Sequence, residues 1–60
     1  MTEMEAMKDR LLSHSAALRG VAESLRFRPA DDIEAQAAVG VADLAASDLA
    51  ALAAIIEEGS

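Results

Sequence analysis

No cysteine occurs in the sixty residues, so neither a disulfide nor a thiolate metal site can brace the fold. Tryptophan and tyrosine are absent and Phe27 is the sole aromatic residue. That removes the stacking platforms on which single-strand nucleic-acid binders rely. Proline occurs once, at Pro29, and no basic residue follows it. Lys8, Arg10, Arg19, Arg26 and Arg28 precede the proline, whereas Asp31, Asp32, Glu34, Asp43, Asp48, Glu57 and Glu58 follow it. With a net charge of −6, the chain lacks the dominant positive field needed for non-specific binding to nucleic acid or anionic membranes.

What remains is an apolar content of 53%, carried by Ala, Leu, Val, Ile and Met. Strands favour β-branched and aromatic residues, so this mixture belongs to helices. A domain of this size buries only about 60% of the surface its unfolded chain exposes. Without a disulfide or a metal, such a scaffold depends on close helix packing or on oligomerisation.

The segment from Met4 to Leu25 carries a heptad-spaced seam: Met4, Met7, Leu11, His14, Leu18, Val21 and Leu25. Its unbroken alternation of three- and four-residue steps predicts an amphipathic helix with coiled-coil-like packing, spanning about residues 3–27. Leu12 and Ala22 flank the seam, and Gly20 weakens the helix by about 1 kcal/mol relative to Ala. Arg26 and Arg28 fall near the negative end of the helix dipole. Pro29 disfavours helical backbone at the residue before it. Asp31, with Glu34 three residues later, predicts an N-cap after a turn at about 28–31. So short a connection makes the two helices antiparallel neighbours.

The second helix is expected over about 32–57, stopped by Gly59. At 100° per residue, Ile33, Val41, Leu44, Leu49, Leu52, Ile55 and Ile56 share one broad face. Alanines occupy much of the remaining circumference, with Gly40 among them, and allow backbones to approach closely. A helix apolar over so much of its girth needs more than one neighbour. Ser47 offers an alternative start for a separate short helix through Ile56. The run Val39 to Ile56 approaches a membrane span in length, but Asp43 and Asp48 near its middle argue against insertion. The charged start, Met1 to Arg10, does not read as a secretory signal, and a cytoplasmic location is expected.

The chemistry-bearing residues are few. His14, the only histidine, sits on the first seam; the expected role is a hydrogen-bonded imidazole that fixes register, with a pH switch as the sharper alternative. No second ligand lies one turn away on its face. Asp48 projects between Leu44 and Leu52 and reads as a rim residue, an internal cap or a specificity group paired with His14 or an arginine. Met1, Met4 and Met7 read as seam filler rather than a soft-metal site. Asp9, Ser13 and His14 hold the residue types of a triad, but two turns of one helix cannot assemble a cleft and an oxyanion site. Neither catalysis, nor a cofactor, nor a metal is expected.

These readings define an all-α fold: an antiparallel hairpin in a single domain, dimerising into a four-helix bundle. The interface is expected at Met4, Met7, Leu11, His14, Leu18, Val21, Leu25, Ile33, Val41, Leu44, Asp48, Leu52 and Ile55. The expected function is a protein–protein interaction or regulatory module that self-associates or docks on a partner protein. The alternative is a structural component of a larger assembly, such as a phage or multi-subunit complex. In plan alone the hairpin is similar to the Rop-type RNA-binding bundle. Lys8, Arg19 and Arg26 form a loose basic strip diluted by Glu3, Glu5, Asp9 and Glu23, so nucleic acid ranks last among the partners.

Overall fold

The computed structural model describes residues 2–59. Two helices, α1 (Glu3–Arg26) and α2 (Ile33–Gly59), pack against each other along their lengths. The hairpin measures 45 × 15 × 11 Å, so it is two helices wide and one thick. Met1, read above as seam filler, lies outside the described residues, as does Ser60.

Helix α1 begins at an N-cap, Thr2, with Glu5 three residues on. Thr2 has extended backbone, its Oγ1 accepts from Glu5 N–H at 3.1 Å, and its hydroxyl approaches Glu5 Oε1 at 3.3 Å. One of the orphan donors of the first turn is thereby satisfied. Glu3 and Glu5 in the first turn and Arg26 in the last complement the helix dipole. Phe27 caps the C-terminus, and Arg28 N–H closes the turn on Leu25 C=O at 3.1 Å.

The connection differs in detail from the reading of Asp31 as the cap. Asp32 caps α2: its Oδ1 accepts from Ala35 N–H at 3.1 Å, while its C=O receives Gln36 N–H at 3.1 Å. Asp32 N–H itself bonds Pro29 C=O at 3.0 Å, closing a turn over 29–32. Arg28 grips the other carboxylate oxygen of Asp32 through Nε and Nη2 at 3.3 and 3.2 Å. Proline displaces the cap by one residue because its turn consumes Asp31. The Ala35 N–H, and after it the Arg28 guanidinium, hold the Asp32 carboxyl below its ordinary value of 3.8. Arg28 thus serves the hinge rather than the last turn of α1.

Helix α2 runs without a break past Ser47 and includes Gly59. Its 27 residues span roughly 40 Å at 1.5 Å per residue, and by length and composition alone it could cross a membrane.

The packed seams are also heptad-spaced, but they are not the seams of the largest side chains. From α1 come the half-buried Lys8, Leu11, Leu18 and Leu25 with the buried Ser15 and Ala22. From α2 come buried Ala35, Ala42, Ala46 and Ala53, interleaved with half-buried Val39, Leu49 and Ile56. Ala46 is wholly inaccessible, and no fully buried side chain is larger than alanine's. Small residues let the helix axes come close, so dispersion contacts run between backbone and Cβ atoms rather than between long side chains. At the closest point Ser15 Oγ donates to Ala46 C=O across the seam at 2.8 Å. Gly40 plays no part in this approach, since a Cβ there would meet nothing within 4 Å.

Candidate interaction face

Of the expected interface residues, the hairpin's own seam takes only Leu11, Leu18 and Leu25. Each of these is half-buried. Met7, His14 and Val21 sit on the adjoining flank of α1 and are exposed, as is Met4. On α2 the whole expected set is exposed: Ile33, Val41, Leu44, Asp48, Leu52 and Ile55. The apolar strip Val41–Leu44–Leu52–Ile55 leaves 49–70% of each side chain open to solvent. Helix α2 is therefore apolar on two sides. Its alanine seam faces α1, and its large side chains face away.

Helical projection relates these strips in space. In an antiparallel pair, residues one position before the seam on α1 flank the same groove as residues about three positions after a seam residue on α2. Met7, His14 and Val21 precede the seam residues Lys8, Ser15 and Ala22. Ala45 and Leu52 hold the corresponding flank of α2, Val41, Asp48 and Ile55 lie one step further outward on the same side, and Leu44 turns away beyond them. The ion pairs bridge the other groove: Lys8 Nζ to Glu57 at 3.7 Å, and Arg26 Nη2 to Asp43 at 2.6 Å, with Glu23 beside Arg26 at 4.0 Å. One broad side of the hairpin is thus laced by charge, and the opposite side is largely apolar.

Polar residues interrupt the apolar side at Arg10, His14 and Asp48 near mid-length and at Glu3 and Glu34 toward the ends. The Ser15–Ala46 hydrogen bond sets the register between the helices, and it places His14 and Asp48 at the same height. That height is the middle of both helices. Both residues are exposed in the hairpin and do not pair with each other within one chain, which leaves the pairing between chains open.

The accessible surface is 4381 Å². A compact monomer of this mass is expected to expose about 3,700 Å². The excess, about 700 Å², is close to the roughly 800 Å² that each partner contributes to a standard interface.

No cavity, and no group of three or more His, Asp or Glu side chains poised to share a metal ion, occurs among the described residues. Asp9, Ser13 and His14 are all exposed on α1, with no cleft beside them. The basic strip of α1 is partly engaged internally, because Lys8 and Arg26 pair with acids of α2. The residues that composition alone obscured are the seam alanines and Ser15. Their signal was present as the heptad run 35, 39, 42, 46, 49, 53, 56, in which small residues hold four of the seven positions.

The class of molecule so defined is an antiparallel two-helix hairpin with one apolar side. Comparison with family models, curated proteins and solved structures returns no match.

Proposed function

We propose that this chain is an acidic protein–protein interaction or regulatory module whose working surface is the apolar side, and that it self-associates there into a four-helix bundle. The observation that carries this reading is the stripe of large side chains left open on α2 beside Met7 and Val21 of α1. Contiguous apolar area of this kind on a small soluble chain marks a contact surface. The excess accessible area supports the same reading, since it is of the size that one standard half-interface buries. The net charge of −6 keeps the assembled particle soluble, and the proposed setting is the cytoplasm.

RNA binding is less well supported, because Lys8 and Arg26 are already neutralised by carboxylates. The apolar length of α2 also suits a lipid-facing helix, but Asp43 and Asp48 would be costly at the centre of a bilayer.

Light scattering on a sizing column at micromolar concentration tests the proposal. The expected result is a dimer or larger species. Leu52→Glu should dissociate it by placing a charge among the apolar neighbours of this side. A monodisperse monomer with a cooperative thermal transition would overturn the self-association, and partition into neutral lipid vesicles instead would favour the lipid-facing alternative.

A further inference from the structure

We infer that the second copy docks with its twofold axis parallel to the helices, so that His14 of each chain meets Asp48 of the other. The inference rests on the self-association proposed above and adds its geometry. Two flat hairpins joined through the same side admit two simple closed arrangements. In one, the axis crosses the helices at mid-height, and each helix lies over its own copy. In the other, the axis runs along the helices, and α1 of one chain lies over α2 of its partner. Both arrangements oppose the dipoles of facing helices, so the dipole does not choose between them.

Charge does choose. On the apolar side, α1 carries Arg10 and His14, one helical turn apart, and α2 carries Asp48 at the height of His14. Because that height is the middle of both helices, an axis across the helices would set His14 against His14 and Asp48 against Asp48. Carboxylate would then face carboxylate at the centre of an apolar interface, where water screens the repulsion poorly. With the axis along the helices, each Asp48 lies over His14 of the other chain, with Arg10 one turn away. A neutral imidazole can donate an N–H to the carboxylate, so the contact does not require protonation. The carboxylate gains a donor and the imidazole an acceptor, so the polar interruptions at mid-length answer one another. Glu34, also on this side, lies at the hinge end and remains at the rim in either arrangement.

Occupancy by a second copy is supported by two features already described. The excess exposed area is that of one standard half-interface, and the mid-length polar groups of the face are complementary to themselves under one rotation. A face built for an unrelated partner has no reason to place its acid and its imidazole at equal height.

The chain has no cysteine, so disulfide trapping reads the arrangement directly. Equimolar His14→Cys and Asp48→Cys chains, mixed and mildly oxidised, should cross-link into a heterodimer on a non-reducing gel, while each variant alone should not. Both positions are exposed in the hairpin, and circular dichroism confirms that each variant is folded before trapping. Self-cross-linking of His14→Cys or Asp48→Cys alone would overturn the inference and indicate the transverse axis. Loss of the dimer in the parent chain would overturn the self-association reading instead. As a second measure, His14→Glu should weaken dimerisation at least tenfold, and adding Asp48→Lys to the same chain should recover most of that loss. If the double variant dimerises more weakly than His14→Glu, like charges are facing, and the proposed axis is wrong.

Discussion

Ala46→Leu should be among the most damaging single substitutions in this chain, although it adds apolar surface to an apolar helix. Ala46 is wholly inaccessible, and its carbonyl oxygen lies 2.8 Å from Ser15 Oγ. If space existed, three added carbons would contribute about 2.4 kcal/mol of favourable transfer. The seam has none, so the helices must separate or shear. Overpacking costs about 1–3 kcal/mol, and loss of the Ser15 bond adds about 0.5–1.5 kcal/mol. A net destabilisation of about 1.5–4.5 kcal/mol follows. A sixty-residue fold has a total stability of about 3–9 kcal/mol, so about half of the stability is at stake. Urea unfolding followed by far-ultraviolet circular dichroism, at one fixed protein concentration, measures the change. Ala54→Leu is the control, since Ala54 is exposed on the same helix and should shift stability by no more than about 0.5 kcal/mol. An unchanged or raised urea midpoint for Ala46→Leu would refute the close-packed seam.

The hinge makes a paired prediction. Asp32→Ala should lower Tm by several degrees, whereas Asp31→Ala should leave it in place, because only Asp32 accepts from Ala35 N–H. Its pH dependence has a definite sign. The folded carboxyl sits below its ordinary value of 3.8, so the stabilisation is complete above that value and is lost as pH falls through the lower folded value. The gap in Tm between the parent and Asp32→Asn should therefore close on acidification below about pH 4. Gly20→Ala and Gly40→Ala should each stabilise by roughly 0.5–1 kcal/mol, because a Cβ at either position meets nothing within 4 Å. A loss at Gly40 in the assembled protein, with a gain in the isolated hairpin, would show that a neighbouring chain approaches there.

The sequence made the hairpin itself readable. Pro29, the helix-forming composition and the unbroken heptad spacing specify two helices and a short antiparallel turn. Which side of each helix turns inward was less accessible, because hydrophobicity ranks leucine above alanine. Close antiparallel approach reverses that order, since a small residue admits the neighbouring backbone and a large one excludes it. The two seams of α1 share Leu11, Leu18 and Leu25, so a one-residue rotation exchanges Met7, His14 and Val21 for Lys8, Ser15 and Ala22. The hydrophobic pattern barely distinguishes those rotations, whereas the ion pairs Lys8–Glu57 and Arg26–Asp43 are reachable only in the second. The cap at Asp32 rather than Asp31 depends on the turn that Pro29 closes, and adjacent aspartates make the two choices nearly equivalent on paper.

An alanine seam is a nearly smooth rail. Sliding α2 by one heptad would bring Ala42 to the place of Ala35 and Ala53 to the place of Ala46, so the shape of the seam opposes the slip mainly at one layer, where Leu49 would have to enter the place of buried Ala42. Interlocking leucines would resist such a movement by collision, layer against layer. Here resistance falls to discrete stops: Leu49 against the Ala42 layer, the Ser15 hydroxyl at mid-length, an ion pair toward each end, and a connection too short to give slack. The hairpin therefore combines tight contact across the seam with weak mechanical detents along it. Its register is a property of one leucine layer, a few polar atoms and loop length, and a few residues inserted after Pro29 would loosen it.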